Sequence, residues 1–268
     1  MIYLVKGEKK MLLEEFDSNK KAILNAEDFH EKNPEMPKTC VSFFSKSIMN
    51  EIAEKYPVKQ IASISNATAT FPIYKINVNG TDLAIYHSPV GAPACVGCFE
   101  EAIALGIEKI LLVGCCGCLD STLEEYALII PTSAIRDEGT SYHYAPVYDE
   151  TIINEKSVEV LEETLNRLSL KYRKGKTWTT DAIFRETREK TLRRKAQGAI
   201  TVDMECSAMN IVAEYRNVKF AQLFYAADNL DGEEYDPRTL MLGSETFDEK
   251  KKIIPIAFEC AIDIDKKL

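Results

Sequence analysis

Three acidic residues stand where apolar runs end, and each could move a proton or hold a polar ligand. Asp203 and Glu205 flank Met204 directly after the apolar run 199–202, and Asp228 follows Ala226 and Ala227. Carboxylates are almost never buried without partners, so an acid ending an apolar run either caps a helix or faces a ligand. Ionised, such a group accepts hydrogen bonds strongly; kept protonated by an apolar setting, it donates as a general acid. Gly114-Cys115-Cys116-Gly117 follows another apolar run, and two glycines separated by small residues let a ligand approach backbone N–H groups or merely allow tight packing. Thr180 leads into Asp181, Ile183, Phe184 and Arg185, which put an aromatic face and a cation at a further strand end. His87 and His143 lie near these segments, each a base or phosphate donor or simply a hydrogen-bonded ring. His143 is the better candidate, because the polar aromatic loop around it could cover a pocket.

Eight cysteines allow a second chemistry. Cys95 and Cys98 with Cys115, Cys116 and Cys118 could supply four thiolates to zinc, yet the first pair falls in an expected helix and neither sits in a glycine-rich knuckle. Most of the thiols lie within apolar runs, which fits reduced, buried core residues and no metal.

Elements must bring these residues together. Residues 71–78 and 83–87 read as an antiparallel hairpin around Asn79-Gly80, and 92–105 as an apolar helix stopped by Gly106. Residues 109–114 form a buried-strand run before the expected glycine turn; 126–130, 174–180, 199–202 and 220–226 read as further strands. Helices are expected over 157–169, 188–197 and 205–215, and over the last 24 residues with a kink at Pro255. Strands alternating with helices predict an α/β fold, a single three-layer domain with a central mixed, mostly parallel sheet flanked by helices. Ligands in such sheets collect at the carboxyl ends of strands, here after Val113, Thr180, Val202 and Ala226. Residues 1–38 read as an extension broken by Pro34 and Pro37, and 39–268 as the domain.

Several ordered segments resemble the nucleoside phosphorylase superfamily, in its purine nucleoside and uridine phosphorylase branch. Val202-Asp203-Met204-Glu205-Cys206-Ser207-Ala208 is similar to that family's ribose-binding segment. Ser88 to Pro93 with Glu100 and Glu101, Val113 to Gly117, and Ile130 to Gly139 match further family segments in the same order. The resemblance spans roughly residues 38–260 and implies cleavage of a nucleoside N-glycosidic bond by phosphate, through an oxocarbenium-like transition state. It implies that Glu205 holds the ribose hydroxyls, Met204 lies on the ribose face, and Phe184, with Ile183 as alternative, stacks on the base. Asp228 aligns with the acid serving N7 of a purine, so purines are expected before pyrimidines. Cys115, Cys116, Gly117, Thr180 and Asp203 complete the expected substrate-binding set. No metal or organic cofactor is implied, only inorganic phosphate as co-substrate, and a homo-oligomer, dimer or hexamer.

The anion site departs from the family. Phe43 to Ile48 replaces the Gly-Asp-Pro-x-Arg loop, Leu112 stands for the phosphate arginine, and Cys115 for the phosphate serine or threonine. After Phe184 the uracil-reading Gln-x-Arg is replaced by Arg185, Glu186 and Thr187. A phosphate dianion needs cations, and Lys46, Arg136 and Arg185 are the candidates beside Gly114 and Cys115. Arg136 is preferred, because a guanidinium grips two oxygens; its alternative is an ion pair with Asp137 or Glu138. Two alternatives to phosphorolysis stay open: a nucleosidase using water, and a non-catalytic nucleoside-binding protein.

Composition is compatible with all three. The chain has 268 residues, enough for a sizeable core, and 33 Lys and Arg against 42 Asp and Glu leave a net charge of -9. That field repels nucleic acid and anionic membrane surfaces. The N-terminal alternation of apolar and charged residues lacks a secretory h-region, and no run reaches the roughly 18 apolar residues of a membrane span, so a cytoplasmic location is expected.

Overall fold

Five consecutive buried residues, Thr39–Phe43, form the first strand, β1, and Ser45 caps the helix after it, α1 (Lys46–Lys55), its hydroxyl accepting from the Ile48 amide at 3.4 Å. The computed structural model describes residues 11–238 and 247–268; residues 1–10 of the N-terminal alternation, and 245–246 of the expected C-terminal helix, lie outside them. Strands β2 (Val58–Ser65), β3 (Thr70–Val78) and β4 (Thr81–His87) pair antiparallel in sequence. Asn79 and Gly80 turn the expected hairpin with φ of 52° and 84°, the left-handed pair that Asn-Gly adopts at least cost. The apolar helix α2 (Ala92–Leu105) ends at Gly106 as its sequence predicts.

Strand β5 (Lys109–Cys118) is the spine. It runs on through Gly114 and Gly117, so the expected glycine turn does not form. Instead the missing side chains make room: a Cβ on Gly114 would lie 2.7 Å from the Phe44 ring, and one on Gly117 would lie 2.7 Å from Leu230 and 2.9 Å from Val202. Next come β6 (Leu128–Asp137), β7 (Glu150–Ile152), α3 (Glu155–Arg167), β8 (Tyr172–Thr180), α4 (Arg188–Ala196), β9 (Ala199–Asp203), α5 (Cys206–Arg216) and β10 (Lys219–Asn229). The C-terminal helix is two pieces, α6 (Phe247–Lys250) and α7 (Ile253–Lys267). Pro255 sits in the first turn of α7, where its absent N–H is an orphan donor in any helix, so it starts the helix and does not kink it.

The sheet order is β10-β6-β8-β9-β5-β1-β4-β3-β2, and a further pairing of β10 with β5 closes β5, β9, β8, β6 and β10 into a ring. Strand β5 has β10 parallel along one side. On its other side β1 pairs parallel up to Val113, and β9 takes over antiparallel at Gly117 and Cys118. Helix α2 packs on α5 and α3 on α7, so helices flank a mixed sheet in one α/β domain. The segment before β1 lies against that domain: His30 Nε2 meets Glu101 Oε2 at 2.5 Å and Asn33 donates to the Ile61 carbonyl at 2.9 Å. No helix among the described residues is long and apolar enough to cross a membrane.

Arg136 belongs to this framework and not to an anion site. It is 3% exposed, on β6, and its guanidinium donates to Ser141 Oγ at 2.9 Å and to the carbonyls of Pro146, Tyr148 and Ala145 at 2.8, 3.3 and 3.5 Å. The rings of Tyr142 and Tyr148 lie 4.3 and 4.5 Å from it. Neither alternative ion pair forms as expected either: Asp137 bonds Lys190 and Arg194, and Glu138 accepts from the Ser141 amide and the Ser207 hydroxyl. The guanidinium closes the loop carrying His143 by answering carbonyls that strand pairing leaves free.

Two substitutions test this reading of the frame by thermal melting. Gly117→Ala should lower stability by roughly 1–3 kcal/mol, because Leu230 and Val202 must give way to its Cβ. Arg136→Ala should lose about 3 kcal/mol, through charge-assisted bonds removed and carbonyls orphaned, while leaving any dependence of turnover on phosphate unchanged. A phosphate KM raised in Arg136→Ala would contradict the structural role.

Candidate active site

The exchange of partners along β5 opens the site. Between Val113, where β1 leaves, and Gly117, where β9 arrives, Cys115 and Cys116 have no strand on that side, and a cleft lies there. Such a break in strand partnership is where open α/β sheets bind ligands. Cys115, Cys116 and Gly117 form one wall; Val202, Asp203, Met204 and Glu205, at the exit of β9, form another; Asp228, at the end of β10, closes a third. Phe44, Val90 and Ile183 add apolar faces, and Glu186 adds a carboxyl.

Two of the three sequence-predicted acids play different parts although they are separated by one residue. Asp203 Oδ1 accepts from the hydroxyls of Thr177 and Thr179 at 3.0 and 2.9 Å, and Oδ2 from the amides of Glu205 and Cys206 at 2.8 and 2.6 Å. Both oxygens are occupied by the protein, so Asp203, the last residue of β9, acts as a structural cap on the turn into α5 by holding the amides of Glu205 and Cys206, and burial still holds its carboxyl above the ordinary range. That cap aims Glu205 into the cleft. Glu205 is 6% exposed, its Oε1 accepts from the Gly91 amide at 2.6 Å, and desolvation, with Asp203 close by, pushes it up to about 8.

Asp228 is half-buried, and Tyr235 donates to its Oδ2 at 3.0 Å. Burial raises it above the usual carboxylate range despite that bond. Glu186 is raised to about 7, by burial first and then by the charge of Asp228. The cleft therefore gathers carboxyl groups able to hold protons near neutrality, which general acids need. The thiol of Cys115 faces it too, pushed up to about 11 by desolvation and Asp228, so it is a neutral donor and no nucleophile.

Other expected residues lie elsewhere. Phe184 is 95% exposed and turned away from the cleft, because the tight turn Ile183–Arg185 sends successive side chains about 120° apart and Ile183 faces inward. The aromatic in the cleft is Phe44, from the segment that replaces the family's phosphate loop. Thr180 is buried and its hydroxyl accepts from the Ala182 amide at 3.4 Å, outside the cleft lining. Gly114 is filled in by Phe44, and Lys46 is exposed on the first turn of α1. Among the described lining residues there is no Lys, Arg or His. His87 Nε2 bonds the Phe44 carbonyl at 2.8 Å and holds that wall.

The zinc alternative has no geometry behind it. Cys95 donates to Ser88 and Cys116 to the Tyr225 carbonyl, both at 3.8 Å, while Arg238 donates to Cys118 at 3.6 Å. Burial pushes Cys98 up to about 12 and Cys118 up to about 11. Among the described residues no group of three or more His, Cys, Asp or Glu is placed to hold a metal ion.

Known proteins share this frame. A solved purine nucleoside phosphorylase from Toxoplasma gondii, in complex with immucillin-H, superposes with a TM-score of 0.72 at 16% identity, covering 89% of this chain and 98% of that one. A uridine phosphorylase from Vibrio fischeri does so at 0.70 and 19%, covering 88% and 97%. In sequence, a guanosine phosphorylase of Halorubrum lacusprofundi is 23% identical over 160 residues, 60% of this chain and 66% of that relative. A uridine phosphorylase of Haemophilus influenzae matches 55% of this chain at 22% identity, and the chain spans 61% of its length. A DeoD-type purine nucleoside phosphorylase of Shewanella oneidensis is 23% identical over 217 residues, 80% of this chain and 88% of its own. The phosphorylase superfamily model matches residues 40–257, which run from the first strand into the last helix and include every residue of the cleft. The chain belongs to the phosphorylase superfamily.

Proposed function

We propose that the protein cleaves the N-glycosidic bond of ribonucleosides, purines before pyrimidines, with phosphate taking the ribosyl group. The observation that carries this reading is that Met204 and Glu205, at the exit of one strand, and Asp228, at the end of another, line one cleft with carboxyls raised by burial at two of its walls. Glu205, fixed by the Gly91 amide, accepts from the ribose hydroxyls as a carboxylate, its proton passing to solvent as the positive charge developing at C1′ favours the ionised form. Asp228, whose carboxyl burial raises above the ordinary range, is the acid that gives a proton to N7 of a purine. The C1′–N9 bond breaks with its electron pair leaving to the base, and a phosphate oxygen forms the new bond to C1′. Phe44, Val90, Ile183 and Met204 supply the apolar enclosure a base and sugar need.

A second reading, with water as the acceptor, is favoured by one specific feature: the described lining residues bring acids and no cation to the cleft. A dianion there meets repulsion unless its cations come from elsewhere. Incubating inosine, adenosine, guanosine, uridine and thymidine with and without phosphate separates the readings. Ribose 1-phosphate formed only with phosphate supports phosphorolysis, and free ribose without it supports hydrolysis. No product from any nucleoside would overturn both, and a large lead for uridine would overturn the role given to Asp228.

Glu205→Ala should lower kcat about 100-fold, the value of one hydrogen bond made to developing charge, roughly 3 kcal/mol. Glu205→Gln separates function from stability. Because the folded carboxyl keeps its proton up to about 8, against an ordinary value of 4.5, the wild type loses stability as pH rises through that window. The glutamine cannot ionise and escapes this loss. Its melting temperature should therefore exceed that of the wild type by several degrees at pH 9 and match it at pH 5, and equal melting at both values would refute the buried-acid description.

A further inference from the structure

Among the described lining residues, Glu186 is the carboxyl that neither the reaction above nor the turn into α5 uses. It follows the tight turn Ile183–Arg185, its amide donates to the Ile183 carbonyl at 3.3 Å, and the next residue, Thr187, caps α4, so its backbone is fixed from both sides. The side chain lines the cleft beside Asp228, and its carboxyl has no hydrogen-bond or ion-pair partner among the described residues. The charged and titratable groups around it are Asp228 on β10, Asp203 on β9, Lys190 on α4 and Tyr235 in the segment after β10. Lys190 is engaged by Asp137 at 2.7 Å, Asp203 by its four bonds, and Tyr235 by Asp228. A held, partially desolvated and unpartnered acid in a ligand cleft is free to recognise something.

What it can recognise follows from purine chemistry. N7 is an acceptor in every purine, and the substituent at position 6 adjoins it on the same edge: an amino donor in adenine, an oxo acceptor in hypoxanthine and guanine. We propose that Glu186 reads this 6-position, accepting from a 6-amino group when ionised and donating to a 6-oxo group when protonated. The inference rests on the reading that Asp228 serves N7, because the neighbour of the residue at N7 then meets the next atom along the edge. Two carboxyls side by side share this work well, since ionisation of one opposes ionisation of the other. Burial and the charge of Asp228 raise Glu186 to about 7, so one site would accept both purine classes and weight them by pH. Below that value the protonated acid complements inosine and guanosine, and above it the carboxylate complements adenosine.

The test is the ratio of kcat/KM for adenosine to that for inosine between pH 6 and pH 8, in the wild type and in Glu186→Gln, with phosphate present. Glu205 and Asp228 also titrate, but they act on the ribose and on N7, which the two nucleosides share, so their effects cancel in the ratio. In the wild type the ratio should rise about 10-fold across the interval, the worth of one charge-assisted hydrogen bond gained or lost. In Glu186→Gln the ratio should be flat, because an amide presents either a donor or an acceptor at every pH. A flat wild-type ratio with both nucleosides cleaved, or an unchanged slope in the glutamine variant, overturns the role of Glu186 alone. Failure to cleave both adenosine and inosine overturns the purine reading of Asp228 on which this inference rests, and the inference with it.

Discussion

Everything at the cleft depends on one long strand changing partners. Strand β5 must bond to β1 along its first half and to β9 at its end, on the same edge, and the two cannot meet without leaving a gap between them. Gly117 allows β9 and Leu230 to come in close enough to close the ring, and Gly114 allows the Phe44 ring to fold over the strand at the other side of the gap. Packed interiors do not tolerate an extra methyl at such contacts without displacement. The same two glycines that make the ring possible therefore also set the width of the cleft.

The turn out of β9 shows how one acid is placed by another. Asp203 uses all its acceptor capacity to start α5 and to tie β8 to β9 through Thr177 and Thr179. The helix that begins there points Glu205 back toward the Gly91 amide at the start of α2, so a single carboxyl sits at the meeting of two helix N-termini. Burial outweighs those favourable bonds and leaves Glu205 holding its proton to about 8. Such a group weakens the folded state when it ionises, and a charge developing on a bound sugar is what would compensate it.

The anion question is where family membership and particular residues part company. The family's fold is retained over residues 40–257, while the segment from Phe43 to Ile48 has become an aromatic wall braced by His87, and the arginine that looked free to hold phosphate has been drawn into a cage of carbonyls and tyrosine rings. Among the described residues, the charged groups lining this cleft are acids. Relatives with the same frame bear names of guanosine, purine nucleoside and uridine phosphorylases, so the frame alone does not choose a base or an acceptor.

Local chemistry made much of this legible in the sequence. Asn79-Gly80 fixed a turn because few other pairs accept its backbone angles, the apolar runs at 109–114 and 220–226 could only be buried strands, and the Asp203-Met204-Glu205 segment with Asp228 marked strand exits where a ligand could lie. Nothing local distinguishes Asp203 as a cap from Glu205 as a ligand group: both are acids after an apolar strand, and only the position of Thr177, Thr179 and the Gly91 amide, brought in from other elements, separates them. Arg136 read as a free cation because the carbonyls that surround it come from a loop whose path the sequence does not state. Phe184 and Ile183 were adjacent choices, and a turn of three residues per revolution decided which faced inward. Glu186 and Phe44 showed only as departures from family segments, with no role readable from their own types, since a lone acid before a helix and an aromatic after a strand occur everywhere on protein surfaces. Periodicity and turn chemistry are properties of neighbouring residues, so sequence determines them; the burial, charge and pairing of a site side chain depend on residues distant in the chain, and only the folded sheet brings those together.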